Sequence, residues 1–295
     1  MNIPGDERVK RHYMKLAVKI LRLYLGSGER TEDLVRRSYD EIAVTYDDLW
    51  TNHMRDRSRD MLDRLNPENG QRSIDLTCGT GYFTSILASR TRGETIGVDS
   101  SPGMLRIAEE KYGNSCRFVR SDIVEYLKGL PADSADIVTC AWGLGYSRPF
   151  KVIREAGRVV RPGGKIGIID NTIFSIREAV VSSLITAAER PEYMKHMVKV
   201  RFLPTLGSLK RRMVLGGFTV SDSWSGSKTY DVVNGWEALY KLKGTGALAG
   251  IEHSTFEESR DEIADIFVRN IESMYLKNGS IGITHRYIGA VGRRR

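Results

Sequence analysis

Short β-rich runs alternate with helical stretches from residue 73 onward. The β-rich runs are SIDLT, TIGVDS, CRFVRSD, ADIVTCAW and KIGIID. Helical patterns lie between them, as in TSILASR, MLRIAEEKY and the segment 154–160. This alternation predicts βαβ units, and therefore a parallel sheet with helices on both faces and right-handed crossovers.

The pattern becomes more helical after Asp170. Helices are predicted at about 176–189 and 206–215, the second ending at Gly216-Gly217 before a short strand at 218–220. A last strand fits 284–291, THRYIGAV. The roughly 60 residues between these two strands are too many for a hairpin turn. They include a capping-box spacing at 254–257 and a helical face that runs to Met274.

The segment 8–24 has apolar residues at the spacing of one helical face and basic residues on the opposite face. Such a helix packs on its own domain, covers a pocket or lies on a membrane surface, and packing is the more general use. A glycine pair around residue 27 ends it, and a second helix begins at Thr31 and leads into YDEIAVTYDDLW, residues 39–50.

Composition narrows the class of protein without naming a partner. The chain has 295 residues, no apolar run long enough to cross a bilayer and no signal-peptide pattern, so we expect a cytoplasmic globular protein. Its three cysteines form no CxxC pair and its five histidines show no metal-ligand spacing, so neither disulfides nor a metal are predicted. The net charge of +8 fits nucleic acid, an anionic membrane or an acidic substrate alike.

The strongest local signal is SIDLTCGTGYF at 73–83, an acid in a strand followed by Gly-Thr-Gly and a helix. Glycines at 79 and 81 allow positive φ and a close approach of backbone to ligand, and the helix start offers unpaired N–H groups. A dinucleotide-binding loop would have a third glycine at position 84, where this chain has threonine. That difference disfavours a pyrophosphate ligand.

Asp99 closes the second strand, eighteen residues after Gly81. A carboxylate there accepts hydrogen bonds from ribose hydroxyls, of either a nicotinamide or an adenosylmethionine cofactor. The neighbouring motifs distinguish the two. They are SPGMLRIAEEK directly after Asp99, Asp122-Ile123 after the third strand, and ADIVTCAW as the fourth strand.

With these motifs the chain resembles the class I S-adenosylmethionine-dependent methyltransferases, in particular the small-molecule branch of ubiquinone and menaquinone methyltransferases. The resemblance covers residues 39–170 and, more loosely, the last two strands. Its motifs are YDEIAVTYDDLW, DLTCGTG, VDSSPGML, GRVVRPGGK, LGGFTV and YIGAVGRR. It implies a Rossmann-like three-layer α/β sandwich with a mostly parallel seven-stranded sheet, an antiparallel last strand, and helical N-terminal and inserted cap elements.

The resemblance also implies S-adenosylmethionine as cofactor and a set of residues that bind it. These are Tyr39, Tyr46, Asp75, Thr77, Gly79, Gly81, Asp99, Ser100, Met104, Asp122, Ile123, Ala141 and Trp142. Tyr39 and Tyr46 would close over the cofactor. Thr77 stands where the family usually has its first glycine.

Within that set, Asp75, Gly79 and Gly81 would lie beside the amino acid moiety of the cofactor, and Asp99 would bind the ribose hydroxyls. Met104 would pack on the adenine.

The adenine amino group would donate to Asp122, while the Ile123 amide donates to the ring. Ala141 and Trp142 would lie beside the methionine portion. The structural alternatives are a helix cap for Asp122 and a core aromatic for Trp142.

The same resemblance suggests the domain organisation. Residues 1–50 would form helices that cover the cofactor site, and 51–225 with 280–295 would form the methyltransferase domain. The stretches 171–205 and 226–279 would be helical insertions that cover the substrate, because a parallel sheet needs neither to close its core.

Methyl transfer needs a nucleophile placed in line with the sulfur–carbon bond, and orientation alone supplies much of the acceleration. A catalytic base is therefore optional. For an acceptor that must lose a proton, the candidate bases are Tyr146, Asp170 and His285, chosen for their places at strand ends.

The chain reads AWGLGY after the fourth strand, without the [DNS]PP[YF] run of enzymes that methylate amino groups of nucleic acids and proteins. We therefore expect a small-molecule acceptor and no nucleic acid. A quinone or lipid would suit the basic first helix, through which the protein would touch a membrane. The alternatives are an RNA or protein methyltransferase, a nicotinamide-dependent oxidoreductase and a non-catalytic binding module. The sequence leaves the acceptor and the oligomeric state open.

Overall fold

The computed structural model describes residues 7–26 and 28–295, and side chains from Tyr13 onward. Its seven strands form one sheet in the order β3-β2-β1-β4-β5-β7-β6. The strands are β1 Ser73–Leu76, β2 Thr95–Asp99, β3 Arg117–Arg120, β4 Ala135–Ala141, β5 Val160–Asn171, β6 Phe218–Val232 and β7 Ile281–Arg294.

Helices connect and flank the strands. They are α1 Glu7–Leu25, α2 Thr31–Ile42, α3 Asn52–Leu65, α4 Tyr82–Thr91, α5 Pro102–Tyr112, α6 Ile123–Lys128, α7 Pro149–Val159, α8 Arg177–Glu189, α9 Leu206–Leu215, α10 Gly235–Gly244 and α11 Arg260–Tyr275. A π-helical turn, Asp47–Thr51, precedes α3, and a short 3-10 turn, Leu144–Tyr146, follows β4. Among the residues described, no helix is both long and apolar enough to cross a membrane.

The strand order confirms the predicted Rossmann-like sheet. β1 pairs in parallel with β2 and with β4, whereas β7 runs antiparallel to β5. The order reverses between β1 and β4, and ligands of open α/β sheets bind outside the carboxyl ends of the strands at such a point. The β1–β4 register pairs Leu76 with Cys140, so the residues after both strands emerge side by side.

The chain forms two compact units. The core unit comprises Tyr39–Ser175, Val200–Lys228 and His285–Arg295. Its interior is made by the apolar strands and the helices packed on them, with Leu76, Val98 and Ile166 among its most buried residues. Residues 39–50, which the sequence suggested as part of a covering segment, belong to this unit.

The inserted unit comprises the described residues through Ser38, Ile176–Lys199 and Thr229–Thr284. It has a hydrophobic core of its own, built from α8, α10, α11 and the nearby ends of β6 and β7, with Leu242, Ile271 and Ile283 fully buried.

Several elements differ from the sequence prediction. β6 continues twelve residues beyond the predicted 218–220. The prediction missed this outer part because half-buried and exposed residues alternate there and give little hydrophobic signal. α11 begins at Arg260, not at the capping-box spacing of 254–257, and Ser259 caps it without a side-chain hydrogen bond. α3 was not predicted, and α10 lies within the stretch 226–279 that was predicted to be helical, although no individual helix was assigned there. In α3 only Met54, Met61, Leu62 and Leu65 are apolar among fourteen residues.

Candidate functional site

The loop between β1 and α4 adopts a left-handed backbone at three positions. Thr77, Gly79 and Gly81 have φ values of 60°, 54° and 80°. A Cβ at Gly81 would lie 2.9 Å from the Phe118 ring and 3.0 Å from the Cβ of Ala108. Position 81 therefore requires glycine both for its backbone angle and for space, and the predicted positive φ of the two glycines is confirmed.

Thr77 holds this strained conformation through its side chain. Its hydroxyl lies 2.5 Å from the carbonyl oxygen of Leu76 and 3.3 Å from that of Ala141, the last residue of β4. Space for the side chain is provided by Gly143, where a Cβ would lie only 2.6 Å from the Cβ of Thr77. The threonine at the family's glycine position thus links the loop to the end of β4.

Asp75 is a buried carboxyl group within β1. Oδ2 accepts a hydrogen bond from the Thr84 hydroxyl at 2.6 Å, and Oδ1 accepts one from the Thr139 hydroxyl at 2.8 Å. Burial raises the pKa of Asp75 to about 7, against the lowering effect of the two hydroxyls. Asp75 therefore connects the first turn of α4 to the neighbouring strand β4.

Asp99 lies half-buried at the carboxyl end of β2, and two backbone amides bind it. The Gly79 amide donates to Oδ2 at 3.0 Å and the Ser101 amide donates to Oδ1 at 2.9 Å. Burial raises the pKa of Asp99, although the backbone hydrogen bonds oppose the rise. Each carboxylate oxygen has more than one lone pair, so both oxygens can accept a further hydroxyl from a ligand.

Two acidic side chains fix the segment 39–51 to the rim of this site. Oδ1 of Asp40 accepts from the Ser101 hydroxyl at 2.6 Å and from the Gly103 amide at 3.0 Å, at the start of α5. Oδ1 of Asp47 accepts from Thr80 of the glycine loop at 2.5 Å, and Oδ2 accepts from the Lys111 ammonium at 2.6 Å. The segment is therefore anchored on both sides of Tyr46.

The environment of Asp47 favours its charged form. Burial raises the pKa of Asp47, but hydrogen bonds from Lys111, Thr80 and Thr51 outweigh burial and the net pKa is lowered. The π-helical turn that begins at Asp47 is a rare backbone form that occurs frequently at functional sites.

Three tyrosines lie next to the glycine loop. The Tyr39 ring packs edge-to-face on Tyr46 at 5.8 Å and on Tyr146 at 6.0 Å between centroids. Tyr46 faces the loop, since its Cε1 would be 3.9 Å from a Cβ placed at Gly79. Burial raises the pKa of all three hydroxyls, so they stay protonated at neutral pH and can donate hydrogen bonds.

Asp170, at the end of β5, adjoins the turn that carries Tyr146. Its Oδ2 accepts from the Gly145 amide at 2.7 Å, and its Oδ1 accepts from the Asn171 amide at 2.9 Å. The side chain is buried, and burial raises its pKa to about 7. Asp170 therefore changes its charge near neutral pH.

Trp142 and His285 belong to an aromatic cluster in the core unit. Trp142 has a φ of 67°, donates its indole N–H to Ser58 at 2.9 Å and packs on Trp50 at 5.5 Å. His285 packs on the same Trp50 at 5.1 Å. Burial, with a smaller effect of His53, lowers the pKa of His285 to about 3, so the imidazole stays neutral.

The other predicted residues lie at the carboxyl ends of the strands or in the helices that follow. Met104 is fully buried in α5 and its amide donates to the Ser101 hydroxyl at 3.1 Å, while Ser100 is exposed. Asp122 is the N-cap of α6, accepting from the Val124 and Glu125 amides through Oδ1. The helix cap, which was the structural alternative for Asp122, is therefore observed.

The sequence interpretation missed Asp40, Asp47, Thr80 and Gly143. Asp40 and Asp47 stand seven residues apart, a spacing that places side chains on one helical face, but their partners are 33 to 64 residues away. No local pattern indicates contacts over such a separation.

In the described part of the chain no cluster of three or more metal-binding side chains occurs. A cavity of about 480 Å³ lies along α3 and is lined by charged and polar side chains of that helix and by Lys228 of β6. None of the predicted site residues lines it.

Comparisons with known proteins identify relatives of this chain. Residues 74–168 match a family model described as a methyltransferase domain. A demethylmenaquinone methyltransferase of Oceanobacillus iheyensis is 30% identical over 171 residues, which are 52% of this chain and 70% of the relative.

Two solved structures share the fold. A putative methyltransferase from Bacillus halodurans has a TM-score of 0.55 at 14% identity, covering 80% of this chain and 97% of its own. The YcgJ protein from Bacillus subtilis has a TM-score of 0.53 at 18% identity, covering 81% and 97%.

Proposed function

Because this chain belongs to the class I S-adenosylmethionine-dependent methyltransferases, we propose that it methylates a lipophilic small molecule of the quinone or lipid type. The enzyme class and the cofactor are those of the family. The acceptor class is supported by the demethylmenaquinone methyltransferase relative. The cytoplasmic location expected from the sequence stays a prediction.

The main support for the proposal is the contact between Asp99 and the Gly79 amide of the glycine loop. The loop follows β1, beside the point where the strand order reverses between β1 and β4. A half-buried carboxylate with lone pairs to spare fits a ribose diol, and left-handed glycines fit a ligand that approaches the backbone closely. The residues present therefore fit the cofactor.

We assign Asp99 to the ribose and the backbone of Gly79 and Gly81 to the amino acid moiety. Met104 and Ile123 would bound the adenine.

Asp122 would bind the adenine amino group through Oδ2, since Oδ1 caps α6. Ala141 and Trp142 would flank the methionine portion. Asp75 would act indirectly, by fixing α4 through Thr84.

When bound, the cofactor supplies a methyl group activated by a positively charged sulfur. The protein's task is then to orient the acceptor and to exclude water, and orientation alone can contribute about 7–11 kcal/mol. Tyr39, Tyr46 and Tyr146 would perform that task beside the loop. For an acceptor that loses a proton, we propose that Asp170 is the base that accepts it, because its pKa of about 7 suits a base at neutral pH. His285 with its pKa of about 3 is a poor base.

Calorimetry with S-adenosylmethionine, S-adenosylhomocysteine and NADH on the purified chain tests the cofactor site. We expect the first two to bind and NADH not to bind. Asp99→Ala should weaken binding by at least about tenfold, because charge-assisted hydrogen bonds are worth about 1.5–3 kcal/mol. An exposed control, Asp63→Ala, should bind as the parent does. Binding of NADH alone would overturn the proposal.

Transfer of labelled methyl groups into fractionated lipid, metabolite, RNA and protein pools tests the acceptor. Label in the lipid or metabolite fraction is expected. Label in RNA or protein alone would reject the small-molecule acceptor and leave the cofactor site standing.

A further inference from the structure

The first helix, α1, buries only a narrow face. Leu16 is buried and Ile20 and Leu23 are half-buried, so these three lie on the side of α1 that faces the rest of the inserted unit. α1 contacts α8 within that unit. The general expectation that the apolar face of this helix packs on its own domain therefore holds for part of it.

A second apolar stripe on α1 faces solvent. Its members are Met14, Val18, Leu21 and Leu25, with exposed fractions of 65%, 49%, 57% and 76%. Their separations of four, three and four residues place them on one line along the helix. Single exposed apolar residues are common, but an unbroken stripe over more than three turns indicates a surface that binds something.

The two borders of the stripe differ in chemistry. Successive residues are rotated by about 100°, so Lys15, Lys19 and Arg22 fall along one border. Tyr13 and Tyr24 fall along the other, and the Lys199 ammonium lies 4.4 Å from the centroid of the Tyr24 ring. The sequence from residue 13 to 26 contains no acidic residue.

We propose that this stripe binds the surface of an anionic phospholipid bilayer, with α1 lying in the plane of the interface. Apolar side chains would enter the acyl boundary, lysines and arginine would pair with anionic headgroups, and tyrosines suit the polar–apolar boundary. A second copy of the chain is a poorer occupant, because its residues 13–26 would bring further cations and no acidic side chain to pair with them. The inference does not depend on the acceptor.

Flotation of the whole protein with vesicles tests the proposal. We expect binding to phosphatidylcholine vesicles containing phosphatidylglycerol, weaker binding to pure phosphatidylcholine, and a decrease with salt. Val18→Glu with Leu21→Glu should reduce binding to both vesicles at least about tenfold. Lys15→Ala and Arg22→Ala should each reduce binding to the anionic vesicles by about fivefold and leave the neutral vesicles little changed.

Leu215→Glu is the matched control, because Leu215 is an exposed apolar residue at the end of α9, with an exposed fraction of 63%. It should bind vesicles as the parent does. Circular dichroism and cofactor binding would show that each variant is folded, independently of whether membranes bind. No flotation of the parent with anionic vesicles would overturn the proposal. So would a dimer, seen by analytical ultracentrifugation, that the Val18→Glu and Leu21→Glu pair dissociates.

Discussion

The hydroxyl of Thr84 donates a 2.6 Å hydrogen bond to the buried carboxyl group of Asp75. Thr84 occupies the position at which a dinucleotide-binding loop has its third glycine, so a side chain fills the space that glycine leaves open in such loops. The same residue that weakened the nicotinamide interpretation therefore holds the first turn of α4 to β1.

Thr84→Val should destabilise the protein by about 1–3 kcal/mol at pH 8, because it leaves an oxygen of a buried carboxylate without its donor. Urea denaturation would measure the loss. Thr84→Ser retains the hydroxyl and should recover most of the stability. Equal losses for valine and serine would show that packing, and not the hydrogen bond, is what Thr84 contributes.

Asp75 should make stability depend on pH. Its pKa in the folded protein is about 7, above the unfolded value of about 3.9, so the folded state holds the proton more tightly. This contribution is complete below about pH 4 and is lost as pH rises to about 7, at roughly 1.4 kcal/mol for each pH unit. Asp75→Asn should remove that slope, and its difference from the parent in urea titrations between about pH 4 and pH 8 isolates the effect. Parallel curves would contradict it.

Substitutions at Thr77 and Gly143 should have coupled effects on the free energy of unfolding. Gly143→Ala places a Cβ 2.6 Å from the Cβ of Thr77 and should cost about 1–3 kcal/mol. In a Thr77→Gly background the same change should cost less than about 0.5 kcal/mol, because the clash is gone. A double-mutant cycle by thermal or urea unfolding measures the difference. Additive effects would mean that the two residues do not share this space.

Asp47 should support cofactor binding without touching the cofactor. Asp47→Asn weakens the anchors on Thr80 and Lys111 and frees the segment that carries Tyr46, so we expect affinity for S-adenosylmethionine to fall about 5- to 30-fold. Thr80→Val should have a similar effect, and the two changes together should be less than additive in calorimetry. Thr51→Val removes a donor to Asp47 outside the loop and serves as the control.

Asp170 should set the acid limb of the pH–rate profile for an acceptor that loses a proton. Activity of the parent should fall below about pH 7, where Asp170 becomes protonated. Asp170→Asn should lower kcat about 10²- to 10⁴-fold and remove the limb. Asp75→Asn is the matched control, since Asp75 is also buried with a pKa of about 7 and should leave the limb in place.

The sequence predicted the central strands well because they are largely buried, and β4, ADIVTCA, is therefore mostly apolar. It predicted the glycine loop because left-handed backbone selects residue type locally. The outer part of β6 escaped prediction because it is half exposed. The anchors of Asp40 and Asp47, and the space that Gly143 gives Thr77, depend on residues brought together by the fold, and nothing near them in the chain reveals their partners.

The inserted unit is assembled from three separate stretches of chain, whereas every residue of the glycine loop and its anchors belongs to the core unit. Exchanging 176–199 and 229–284 for the corresponding stretches of a relative would alter no hydrogen bond around Asp99 or Asp47. The sequence predicts that these stretches cover the substrate, so we expect such chimaeras to change acceptor selectivity while the contacts of the methyl-donor site stay constant.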